Sequence, residues 1–89
     1  MDDLFSLTPS LLVVYASRAC PDCIRALSFL DSNHIPYRMV SIENDEAAAK
    51  FLESLNRGYR SVPTLIFPDG SRLVEPSLQD LAQKFRIEE

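Results

Sequence analysis

Only two cysteines, Cys20 and Cys23, and one histidine, His34, occur among the 89 residues. That set falls one short of the four ligands of a structural zinc site, so zinc would require a second chain. Basic charge is also scarce: nine Lys and Arg against thirteen Asp and Glu leave a net charge of −4. The electrostatic footprint of a nucleic-acid partner is therefore missing. No apolar run approaches the ~18 residues of a membrane span. The start, "MDDLFSLTPS", lacks the basic n-region and long apolar h-region of a secretory signal. The expected setting is the reducing cytoplasm, with no membrane partner, where a disulfide is more often transient and catalytic than structural. Repeats, linkers and low-complexity stretches are lacking too. What remains is an ordinary globular composition, 46% hydrophobic and 25% charged, with room for one domain and one modest core.

Residues 1–9 mix acids with Leu4, Phe5 and Leu7 and read as an extension; residues 10–89 read as the domain. "LLVVYA" (11–16) is a short continuous apolar run, as expected of a strand covered on both faces. From Pro21 to about Asn33 the pattern is helical, with Ile24, Leu27 and Leu30 as a stripe widened by Cys23, Ala26 and Phe29. "YRMVSI" (37–42) alternates as a strand, and Ala48, Phe51, Leu52 and Leu55 then mark a second helix, with Glu43, Asp45 and Glu46 assigned to its start. "TLIF", "PDG" and "SRLV" read as strand, turn and strand. Ser77 to Asp80 resembles a capping box opening a last helix striped by Leu78, Leu81, Ala82 and Phe85. The order is β-α-β-α-β-β-α, an α/β domain with one parallel crossover and one antiparallel hairpin.

With Pro21 at the first helical position, Cys20 takes the cap and Cys23 the third position. A neutral thiol caps poorly, but a thiolate accepts the free N–H groups of the first turn and sits at the positive end of the helix dipole. Such an environment lowers a cysteine pKa from about 8.5 and makes the sulfur both nucleophile and leaving group. Cys23, one turn inside, is expected to be more covered, so Cys20 attacks and Cys23 resolves. Asp22 opposes the thiolate, and Arg18 and Arg25 offset part of that. A static disulfide over two intervening residues would close too small a loop to stabilise much. A CxxC between a buried strand and a helix start points instead to redox chemistry.

The second signal is Ser61-Val62-Pro63-Thr64. Taken alone, a proline opening a strand is ordinary, because its missing N–H costs nothing there. Together with "VVYASRACPDC" and "SVPTLIFPDGSRLVEPS", it gives a chain that resembles the glutaredoxin branch of the thioredoxin fold from about Leu12 to Phe85. "SIENDEAAAKFLESLNRGYRSVPTLIFPDGS" is most similar to the mycoredoxin-type glutaredoxins of actinobacteria. The resemblance implies a four-stranded mixed sheet of order 2-1-3-4 flanked by three helices. It implies Cys20 as nucleophile, Cys23 as resolving cysteine, and a cis Val62–Pro63 bond facing them. The backbone before the proline would pair with substrate as an added strand. Pro21, Val62, Pro63 and Thr64 would line the groove, and Arg18 and Arg60, with Arg57 nearby, would set positive charge around it. Tyr59 either lines the groove or covers the underside of its loop, and His34 is a helix-end residue rather than a base.

The implied activity is thiol–disulfide exchange on protein disulfides or mixed disulfides. A low-molecular-weight thiol, glutathione or mycothiol, is the co-substrate, and NADPH acts through a reductase. No bound cofactor or metal is expected, and the chain is expected to be a monomer. Glutathione-dependent relatives carry tyrosine at the position of Asp22, lysine at that of Ser17, and a double glycine where this chain reads Glu75-Pro76-Ser77. Two rival readings follow: an electron donor reduced by thioredoxin reductase, for instance to ribonucleotide reductase, or a module holding iron–sulfur or zinc through Cys20 of two chains. Pro21 opposes the cluster, since cluster-holding members generally lack it.

Overall fold

The computed structural model describes residues 6–87, so Leu4 and Phe5 lie outside the described residues. Seven elements follow one another: β1 (Val13–Ala16), α1 (Pro21–Ser32), β2 (Arg38–Ser41), α2 (Glu46–Leu55), β3 (Thr64–Ile66), β4 (Arg72–Val74) and α3 (Leu78–Phe85). The sheet has the order β2-β1-β3-β4. β1 runs parallel to β2, with Val13 opposite Arg38, and antiparallel to β3, with Val14 opposite Leu65; β3 and β4 form the antiparallel hairpin. This is the thioredoxin-like arrangement expected from the sequence.

Because side chains alternate across a strand, β1 feeds two cores at once. Val14 and Ala16 join Leu65, Phe67 and the buried faces of α1 and α3. Val13 and Tyr15 point the other way, with Ile66 and Val40, under Ala48 and Leu52 of α2. All four β1 residues are buried, as a central strand requires.

Two helical stripes sit differently from expectation. In α1 the buried residues are Cys23, Ala26, Phe29 and Leu30, while Ile24 is 55% exposed. The helix rotates to put Cys23 inward, and Ile24, one position on, is carried out. Leu78 at the start of α3 is likewise exposed, and Leu81 and Ala82 do the packing. At the other end of the domain Pro9 is buried, and Thr8 lies against the Gly70 turn, where a Cβ on Gly70 (φ +89°) would meet Thr8 Cγ2 at 3.4 Å. The close of residues 1–9 thus packs on the domain.

Candidate active site

The loop leaving β1 is held by its own polar groups. Cys20 N–H donates to the Ser17 carbonyl at 3.4 Å, and Ala19 N–H donates to Ser17 Oγ at 3.3 Å. Arg18 N–H donates to Glu43 Oε1 at 2.7 Å, across 25 residues of sequence. The β1–β2 ladder ends with Ile42 N–H on the Ala16 carbonyl at 3.1 Å, and the Glu43 carboxylate supplies one more rung beyond it. Glu43 therefore does not belong to the start of α2, where Asp45 is the cap and accepts from Ala48 N–H at 3.0 Å. Its role depends on where β2 ends against β1, a relation between segments that no local motif carries.

Cys20 is the N-cap of α1, in an extended conformation, with Pro21 following at the first helical position. Its sulfur accepts Cys23 N–H at 3.1 Å, and its carbonyl accepts Ile24 N–H at 3.1 Å. The sulfur thus stands where Ser, Thr or Asp usually caps. Cys20 is half-buried and Cys23 fully buried; both are free thiols. Burial, reinforced by a hydrogen bond with the Cys20 sulfur, pushes the Cys23 thiol up to about 12. The pair is therefore unequal, with an accessible sulfur at a helix N-terminus and a covered, protonated one a turn below.

The Val62–Pro63 peptide is cis, and the Val62 carbonyl accepts from Cys20 Sγ at 3.8 Å. The loop before β3 thus meets the loop after β1 at the Cys20 sulfur. Pro63 is buried and Val62 half-buried. Glu75, in the left-handed region at φ 50°, ties β4 to the same loop by donating its N–H to the Pro63 carbonyl at 2.8 Å.

The other expected groove residues divide. Pro21 and Arg18 are exposed beside Cys20. Thr64 is fully buried, its hydroxyl donating to the Ser61 carbonyl at 2.7 Å and accepting from Asn56 Nδ2 at 3.4 Å. It shapes the loop from beneath instead of lining the groove. Arg60 is turned to α2, where it pairs with Glu53 and, at 3.1 Å, with Glu46. Those carboxylates, Glu53 first, push the pKa of its guanidinium up. Tyr59 is 71% exposed, so it does not cover the underside of its loop. His34 is exposed just past the Asn33 cap of α1, and Asp22 is ion-paired with Arg25 one turn on.

The family model described as Glutaredoxin matches residues 12–72. A Mycobacterium tuberculosis protein provisionally named a glutaredoxin is 42% identical over 73 residues, 82% of this chain and 87% of its own length. Mycoredoxin 1 of Corynebacterium glutamicum is 32% identical over 75 residues, 84% of this chain and 92% of its own. Among solved structures, a variant of the thioredoxin-like protein BC3987 superposes with a TM-score of 0.75 at 29% identity, covering 89% of this chain and 99% of that one. A glutaredoxin from Archaeoglobus fulgidus shares the fold with a TM-score of 0.74 at 22% identity, covering 97% of each chain.

Proposed function

Since the chain belongs to the glutaredoxin family and is a thiol–disulfide oxidoreductase, we propose that Cys20 removes a low-molecular-weight thiol from mixed disulfides with proteins, with Cys23 as the resolving cysteine. The observation that carries this reading is the inequality of the two sulfurs. One is accessible, caps a helix and faces a backbone carbonyl across the groove; the other is buried and protonated beneath it.

In the first step the Cys20 thiolate attacks the small-thiol sulfur of the mixed disulfide. The protein's sulfur leaves as thiolate and takes up a proton, and the small thiol stays bonded to Cys20. A second small thiol, as thiolate, then attacks that bound sulfur, releasing the symmetrical small disulfide and restoring Cys20. Alternatively, Cys23 loses its proton and attacks Cys20 Sγ, releasing the small thiol and leaving the Cys20–Cys23 disulfide. Once Cys20 is bonded to a partner, its thiol hydrogen bond and its charge no longer raise the Cys23 pKa. Only the burial contribution then opposes ionisation of Cys23, and the resolving step becomes easier when it is needed.

The Val62 backbone is the edge on which an extended substrate adds as a strand, and Pro21 and Arg18 flank the sulfur. The small thiol is mycothiol or glutathione, and NADPH drives the cycle through the corresponding reductase. The protein acts as a monomer in a reducing compartment.

The test is reduction of the oxidised protein by NADPH along two routes. One supplies glutathione or mycothiol with its own reductase, and the other supplies thioredoxin reductase alone. Turnover on a small-thiol route is the expected result. Turnover with thioredoxin reductase alone would make the protein a thioredoxin-like electron donor and overturn the assignment.

A further inference from the structure

A pocket of about 330 Å³ opens between the first turns of α1 and the β4–α3 loop, lined by Asp22, Arg25, Ala26, Glu75, Pro76, Ser77 and Leu78. It adjoins the reacting sulfur through a short chain of contacts. Glu75 N–H holds the Pro63 carbonyl at 2.8 Å, and the preceding Val62 carbonyl faces Cys20 Sγ at 3.8 Å. The Glu75 wall of the pocket is thus tied through the Val62–Pro63 backbone to the carbonyl that faces the Cys20 sulfur, and Asp22, two residues after Cys20, lines the same pocket.

The electrical character of this pocket follows from its walls. Asp22 and Arg25 neutralise each other as an ion pair. Glu75 is exposed, and among the described residues its carboxylate has no ion-pair partner. The positive end of α3 does not offset it, because Ser77 and Asp80 close that end as a capping box. Ser77 N–H donates to Asp80 Oδ2 at 3.0 Å and Asp80 N–H to Ser77 Oγ at 3.0 Å, which places a further carboxylate at the helix start. Ala26, Pro76 and Leu78 supply apolar wall for a side-chain stem. A long aliphatic stem ending in a cation suits such a site, and a carboxylate is repelled by it.

Resting on the reading that Cys20 attacks the disulfide, we infer that this pocket is a subsite for a lysine or arginine neighbouring the substrate cysteine, and that Glu75 is its specificity-determining residue. Protein disulfides flanked by basic residues are the preferred substrates, and those flanked by acidic residues the disfavoured ones.

The experiment is single-turnover oxidation of the reduced protein by three symmetrical peptide disulfides, identical except for Lys, Ser or Glu beside the cysteine. Cys20 attacks one peptide sulfur and releases the first peptide thiol; Cys23 attacks Cys20 Sγ and releases the second. Two electrons pass, and the protein becomes the Cys20–Cys23 disulfide. The expected rates fall in the order Lys, Ser, Glu, with about a five-fold spread at low ionic strength, the scale of one solvent-exposed ion pair, and the spread shrinks in high salt.

Glu75→Gln should level the series and Glu75→Lys invert it. Asp69→Asn makes the same change in net charge as Glu75→Gln, but on the β3–β4 turn at the opposite end of the sheet from Cys20, and should leave the spread in place. Equal rates in the unmodified protein, or a spread that survives Glu75→Gln, would overturn the subsite. Failure to reduce any of the peptides would instead overturn the role given to Cys20.

Discussion

A thiol whose pKa rises on folding is a proton store, and Cys23 is held in that condition. Its ordinary value near 9 is pushed up to about 12 by burial and by its neighbour Cys20. At neutral pH the reduced protein should therefore take up one equivalent of an alkylating agent, at Cys20; peptide mapping that finds Cys23 modified first would contradict this. The same shift predicts a pH dependence of stability. Between about 9 and 12 the folded chain keeps a proton on Cys23 that the unfolded chain has lost, so stability falls as pH rises through that window. Urea midpoints from pH 8 upward should drop more steeply for the unmodified protein than for Cys23→Ala, and parallel curves would refute the assignment. The placement of the two cysteines was legible in the sequence because a cap and the third position of a helix are local relations. Thr64 and Arg60 were not, since what removes them from the groove is a partner elsewhere: Ser61 and Asn56 for the threonine, Glu46 and Glu53 for the arginine.

The sulfur that caps the first turn of α1 is the one to which we assign the chemistry, and two substitutions separate these roles. Cys20→Ser keeps an oxygen acceptor for Cys23 N–H, so α1 should stay capped while exchange activity vanishes. Cys20→Ala removes the cap as well and should cost a further ~0.5–2 kcal/mol, the usual value of an N-cap; chemical denaturation of the two variants decides. The loop before α1 is tied to the end of β2 by Glu43. Glu43→Ala should speed hydrogen exchange at the Arg18 amide and lower the alkylation rate of Cys20 a few-fold. Glu43→Gln keeps a carbonyl acceptor and should restore both. If Glu43→Ala lowers thermal stability but leaves Cys20 reactivity unchanged, the rung supports the fold alone. Helix periodicity located α1 and α3 correctly but counted Ile24 and Leu78 into their buried stripes; Ile24 is turned out beside the buried Cys23, and Leu78 is exposed at the first position of α3. A stripe of threes cannot say which of two adjacent apolar residues meets the sheet.

Among the described residues the sheet has unequal covers, two helices on one face and α2 alone on the other. Truncating the buried Leu52 should cost about 2–5 kcal/mol, a large share of the roughly 5–15 kcal/mol that stabilises a small domain. It should loosen α2 before α1, with amide exchange rising across Glu46–Leu55 while Cys20 keeps its reactivity; loss of both together would mean that the two faces unfold as one. The order of the seven elements was legible because each apolar run is short and bounded by proline, glycine or a cap. Val62 stands apart from this division, since it packs against the clusters on both faces of the sheet. A partner that grips its backbone therefore pulls on both halves at once. Binding at the groove should register as a tremor through the entire domain, with shifted NMR resonances under α2 as well as under α1, far from any atom the partner touches.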